Sequence, residues 1–290
     1  GLEEHLDRTA VSLSSAGIHP GKRVAVVLPN GPEMATCFLA VSSLATCAPL
    51  NPAYSQDEFE FYLSDLKASA LIVGHGSGNT ARQAAGRLGV PVIDLRYETT
   101  APAGVFSLDI PMEKGDGKPV QYNQPEDVAM VLHTSGTTSR PKIVPLKQVN
   151  LGASARNIAT SLSLTPGDRC LNVMPLFHVH GLMAAVVGSL VSGGSVICTA
   201  GMDPSRVLDW LIDLEATWMT AVPTMLQVLL ERGRSLPAKA GQVQLRFLRA
   251  CSSALPAQLA EDLESLFRVP VIEAYGMTEA SHQIAVNPLP

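Results

Sequence analysis

The sequence predicts an α/β protein built from two parallel-sheet subdomains packed together. Short apolar, β-rich runs alternate with helical patterns along most of the chain. The order β-α-β-α-β at the start is that of a parallel sheet covered by helices. A Pro- and Gly-rich stretch near the middle then breaks the alternation, which resumes beyond it.

The elements follow in order. Arg23 to Leu28 reads as a strand, and Pro29-Asn30-Gly31-Pro32 turns the chain into a helix from about Glu33 to Leu44. Gln56 to Leu66 is an amphipathic helix with Phe59, Leu63 and Leu66 on one face. Ala70 to Val73 is a buried strand, Thr80 to Leu88 a helix and Val90 to Leu95 a strand. From about Glu98 to Gln124 the prolines Pro102, Pro111 and Pro119, with Gly104, Gly115 and Gly117, predict an irregular connection. Val128 to His133 then reads as a strand, Lys147 to Leu162 as a helix and Arg169 to Val173 as a strand. Gly181 to Val191 is an apolar helix, Ser195 to Thr199 a strand and Pro204 to Leu214 a helix. Thr217 to Val222, Arg246 to Ala250 and Val269 to Ala274 are further strands. Pro223 to Glu231 and Pro256 to Phe267 are helices opened by proline in the first turn. These readings place one subdomain at 1–125 and a second at 126–290, with room for strands to exchange across the boundary.

Composition narrows the function classes. A 290-residue chain with 46% hydrophobic and 16% charged residues has ample core and excludes disorder. A net charge of −5 without a basic cluster argues against a nucleic-acid platform. A small anionic ligand needs only a local pocket of positive charge or amides. The five cysteines are scattered, with no C-x-x-C pair, which fits a reducing compartment, cytoplasmic or peroxisomal. Apolar stretches such as Leu182 to Val191 are too short to span a bilayer. The chain starts at Gly1 within a helical pattern and stops in Asn287-Pro288-Leu289-Pro290, which reads as a fragment with sequence expected on both sides.

One segment carries chemistry. Thr134-Ser135-Gly136-Thr137-Thr138-Ser139-Arg140-Pro141-Lys142 follows a strand and holds five hydroxyl residues, one glycine and two cations. Glycine permits close backbone approach, and successive amides and hydroxyls in such a turn surround an anion. Lys142 adds a point charge suited to phosphate. The Walker pattern G-x-x-x-x-G-K-[ST] is absent. By composition alone an exposed polar turn is the alternative. Gly74-His75-Gly76-Ser77-Gly78 follows a strand but does not give G-x-G-x-x-G, which argues against a dinucleotide fold.

The string resembles the phosphate loop of the adenylate-forming superfamily, which usually reads T-S-G-T-T-G-x-P-K-G; Ser139 and Ile143 replace two of its glycines. Pro175-Leu176-Phe177-His178-Val179-His180-Gly181 resembles the second core motif of that superfamily, and Ala274-Tyr275-Gly276-Met277-Thr278-Glu279 the third. Arg249-Ala250-Cys251-Ser252-Ser253-Ala254-Leu255-Pro256 is similar to the segment that lies along the nucleotide. The resemblance implies the large N-terminal domain of such an enzyme, with the second subdomain carrying the phosphate loop and nucleotide site and with the C-terminal lid absent.

The resemblance also implies roles. Thr134, Ser135, Gly136, Thr137, Thr138 and Lys142 would hold the phosphates of ATP. Glu279, with Thr138, would ligate Mg²⁺, and Thr278 would contact the α-phosphate. Tyr275 would stack on adenine, flanked by Ala274 and Gly276, with Ser253 and Ala254 along the base. Taken alone, Tyr275 reads as core and Glu279 as a solvated charge. His178 and His180 could be a metal pair or helix-start histidines; the resemblance puts His178 between acyl pocket and phosphate as a catalytic-site residue with Lys142, Thr278 and Glu279.

The expected reaction joins a carboxylic acid to ATP as an acyl-adenylate and then to coenzyme A. No acidic residue follows the second motif, which disfavours an amino acid. The tail Thr278-Glu279-Ala280-Ser281-His282-Gln283 resembles the oxalate–CoA ligase branch. A dicarboxylate needs donors for its second carboxylate: Ser252 and His282, with His178 nearby, a protonated histidine giving a charge-assisted bond. A 4-coumarate-type or fatty acyl–CoA ligase and a non-catalytic nucleotide-binding protein are the alternatives.

Overall fold

The apolar runs of the sequence become the inner strands of two sheets. The computed structural model describes residues 1–111, 119–134 and 141–290. It divides into two compact units, Gly1–Asn150 and Leu151–Pro290.

The first unit holds β1 (Arg23–Val27), β2 (Thr46–Pro49), β3 (Ala70–Gly74), β4 (Val92–Arg96), β5 (Ser107–Asp109), β6 (Val128–Thr134) and β7 (Lys142–Lys147). They lie in the order β5-β4-β3-β1-β2-β6-β7. The inner pairs are parallel, and β5 and β7 add antiparallel edges. Helices Pro32–Leu44, Gln56–Leu66 and Asn79–Leu88 make the crossovers. Helix Gln56–Leu66 starts at Ser55, whose hydroxyl accepts from the Glu58 amide while the Glu58 carboxylate accepts from the Ser55 amide. Its face of Phe59, Leu63 and Leu66 packs with Leu71 and Val73 of the sheet.

The second unit holds β8 (Arg169–Asn172), β9 (Ser195–Cys198), β10 (Trp218–Ala221), β11 (Phe247–Ala250), β12 (Val271–Met277) and β13 (His282–Val286), ordered β13-β12-β11-β10-β8-β9. All neighbours are parallel except β12 and β13. Helices Pro223–Ser235 and Ala257–Phe267 bury Leu226, Leu230, Leu263 and Phe267 against Met219 and Leu248.

The two α/β sheets are as expected, with parallel inner strands, and antiparallel strands add to their edges. Two expectations change. The division falls at 150/151 instead of 125/126, because β6 pairs with β2 and β7 with β6. Thr134 and Lys142, the flanks of the segment read as a phosphate loop, therefore belong to the first unit. The apolar helix expected at Gly181–Val191 begins as a π-helical segment, His180–Val187, and continues as α-helix Gly188–Val191. Among the described residues, no helix is long and apolar enough to cross a membrane.

Candidate active site

The site residues fall into two groups. In the first unit, Thr134 ends β6 and Lys142 opens β7, and the two residues pair across the antiparallel ladder. Lys142 is exposed. Ser135, Gly136, Thr137 and Thr138, together with Ser139 and Arg140, lie outside the described residues.

In the second unit, the ends of two neighbouring strands frame a cleft. Ser252, Ser253 and Ala254 follow β11, and Ala274, Tyr275 and Gly276 belong to β12. All six line one cleft of about 480 Å³, with Glu273 and residues 285–287 completing its wall. This is the carboxyl end of a parallel pair, where open α/β sheets bind ligands. The Leu255 amide donates to Glu273 Oε1 at 2.8 Å and ties the loop after β11 to β12. The Tyr275 ring is 65% exposed beside the cleft, so its isolated reading as a core residue does not hold. Gly276 has a steric reason: a Cβ there would collide with the His282 carbonyl, where β12 and β13 shift register. Thr278 and Glu279 follow on the short 3₁₀ turn Thr278–Ala280, and the Glu279 carboxylate is exposed.

Beside the cleft is a buried polar cluster. His180 Nε2 lies 2.7 Å from Thr220 Oγ1, and His180 Nδ1 lies 3.1 Å from Ser252 Oγ. The His180 and His282 rings stack with centroids 4.9 Å apart. Arg249, with no exposed surface, donates to Thr220 Oγ1 at 3.1 Å, to His282 Nε2 at 3.2 Å and to Gln283 Oε1 at 3.0 Å. Among the described residues no carboxylate pairs with this guanidinium. Burial, with the Arg249 charge adding to it, holds the pKa of both histidines well below the ordinary value. The backbone is strained here: Ser252, Ser281 and His282 all have left-handed φ, at 75°, 55° and 97°. Ser154 Oγ donates to the Ser281 carbonyl at 2.6 Å and braces that turn.

His180 joins Ser252, while His178 is exposed and sets its ring 4.6 Å from Phe177. One expectation needs correction. His282 does not fit a protonated donor, because a buried ring accepting from a guanidinium stays neutral. Sequence reasoning gave no individual role to Thr220 or Arg249. Their signal was a Thr and an Arg inside otherwise apolar strands, Trp218-Met219-Thr220-Ala221 and Phe247-Leu248-Arg249-Ala250.

Comparison with known proteins decides the family. A model described as AMP-binding enzyme matches residues 1–290. The chain belongs to that family. The oxalate–CoA ligase of Arabidopsis thaliana is 42% identical over 100% of this chain and 57% of its own length. The oxalate–CoA ligase of Saccharomyces cerevisiae is 37% identical over 92% of this chain and 52% of its own length. Apo MatB from Rhodopseudomonas palustris superposes with a TM-score of 0.83 at 27% identity, covering 99% of this chain and 56% of that one. The chain thus spans little more than half the length of the relatives it matches.

Proposed function

We propose that the chain carries the nucleotide-binding and acid-binding part of an ATP-dependent acid–CoA ligase, and that its acid is small and doubly anionic, with oxalate the best candidate. The observation that carries the acid reading is the cluster of Arg249, His282, His180 and Ser252 beside the cleft. A buried guanidinium without a carboxylate partner is costly in isolation and favours a nearby anion. A fatty acid would instead want an apolar channel. The oxalate–CoA ligases among the relatives support the same choice.

In this reading the acid carboxylate attacks the α-phosphate of ATP, pyrophosphate leaves, and the thiol of coenzyme A later displaces AMP. Positioning and charge neutralisation dominate the first step. The roles proposed are Lys142 with Thr134 and the loop hydroxyls on the phosphates, Thr278 on the α-phosphate, Tyr275 on adenine, and Ser253 and Ala254 along the base. The donor chemistry fits Mg²⁺. Among the described residues no cluster of three His, Cys, Asp or Glu could cage a metal alone. A single exposed carboxylate such as Glu279, completed by nucleotide oxygens, is a typical Mg²⁺ arrangement. When bound, the ion would neutralise phosphate charge. The five scattered cysteines accord with a reducing compartment.

Calorimetric titration with Mg²⁺–ATP, repeated with oxalate, tests this reading. Oxalate should tighten ATP binding and a long-chain acid should not. Lys142→Ala with Glu279→Ala should remove the heat. Tightening by a long-chain acid or by 4-coumarate but not by oxalate would reject the small-acid reading.

A further inference from the structure

Arginine has no acceptor, so every hydrogen bond it makes has a fixed direction. Arg249 Nη1 donates to Thr220 Oγ1, which must send its own proton elsewhere. Among the described residues the acceptor in reach is His180 Nε2, 2.7 Å away. A neutral His180 then carries its proton on Nδ1 and donates to Ser252 Oγ at 3.1 Å. Ser252 lines the cleft, and its hydroxyl hydrogen remains free to donate there. On the other branch, Arg249 Nη2 donates to His282 Nε2, so that ring also holds its proton on Nδ1. No acceptor for this proton stands among the described residues. The same nitrogen donates to Gln283 Oε1, leaving Gln283 Nε2 to donate to Ser161 Oγ at 3.0 Å.

We propose that Arg249 is a positioning residue that fixes His180 and His282 as neutral Nδ1–H tautomers, so that the Ser252 hydroxyl on the cleft wall is presented as a donor to the anionic end of the acid. This rests on the small-acid reading above. Arg249 itself does not touch the acid. Its charge, transmitted through Thr220, orients neutral dipoles before the ligand arrives, so little reorganisation remains when it binds. The Nδ1–H form is the minor tautomer of a free neutral histidine, so its presence in both rings is a distinctive signature. The groups facing the two rings are Arg249, Thr220, Ser252 and each other, with His178 close enough to act on His180 and Cys251 against the guanidinium.

Nitrogen NMR on the protein with isotope-labelled histidine reads the tautomers directly. Both rings should report Nδ1–H in the parent protein. Thr220→Val, close in shape, should release His180 alone toward Nε2–H, and Thr220→Ser should restore it. Arg249→Met should release both rings. Oxalate's tightening of ATP binding should weaken about tenfold in Thr220→Val and recover in Thr220→Ser. Nε2–H on His180 in the parent protein, or a Thr220→Val variant with unchanged tautomer and unchanged oxalate effect, would overturn the relay. Nδ1–H signatures in a parent protein that oxalate does not affect would overturn the acid reading while the relay stood.

Discussion

The central strands of the two sheets are equally buried and differ in kind. In the first unit, β1 and β3 present Val24, Ala25, Val26, Leu71 and Ile72, all with no exposed surface. In the second, β10 and β11 are as deep but carry Thr220 and Arg249, also with no exposed surface. The first pattern needs only apolar area and packing for its explanation. The second spends stability on polar groups that a structural sheet does not need, and these lie where the acid site is proposed. Burial alone does not separate core from site; the polarity of what is buried does.

Four measurements break or sharpen this contrast, from the largest expected effect to the smallest. Ile72→Ala, in the middle of β3, should cost about 2–5 kcal/mol of unfolding free energy, read by denaturant titration. Arg249→Met, at equal depth, should move the same quantity by no more than about 2 kcal/mol in either direction. Relief of an unpaired buried charge is set there against three orphaned acceptors. A larger loss for Arg249→Met than for Ile72→Ala would erase the distinction drawn here. Acidity provides the third measurement. The His180 and His282 pKa values are depressed in the fold, so the unfolded chain binds more protons as pH falls below about 6.5. Stability is therefore full above that pH and declines below it, by up to about 1.4 kcal/mol per pH unit for each ring. His282→Asn should flatten that acid limb by about one ring's share. Ser55→Ala, at a helix cap in the first unit, should cost about 1 kcal/mol and leave the acid limb unchanged.

The parallel inner strands were legible because a strand covered on both faces is a continuous apolar run, as in Ala70-Leu71-Ile72-Val73. The antiparallel edges were not. Lys142–Lys147 is alternately exposed and contains Pro145, and β13 is half exposed, so neither stands out from a loop. Pairing partners are long-range facts, which is why the ladders joining β6 to β2 and β7 to β6 were not legible in the sequence. The cleft residues Ser252 to Ala254 and Ala274 to Gly276 were legible as motif strings, and the structure brings them to one place. The choice between His178 and His180 was not legible. It depends on how a π-helical start aims side chains two residues apart, and on Thr220 and Ser252, which lie 40 and 72 residues away in sequence.

The left-handed backbone at Ser252, Ser281 and His282 has a consequence for mutational drift. At positive φ, glycine is the residue of least conformational cost, and a serine or histidine there is strained by about 1–3 kcal/mol. A single exchange to glycine would relax the local chain at each position. Neutral drift under a demand for stability alone would run toward glycine at all three. In the proposed function, Ser252 and His282 are positions where the fold tolerates discomfort for the sake of a hydroxyl and a ring nitrogen. Glycine substitution at either one is accordingly a route to a calmer backbone and a poorer site.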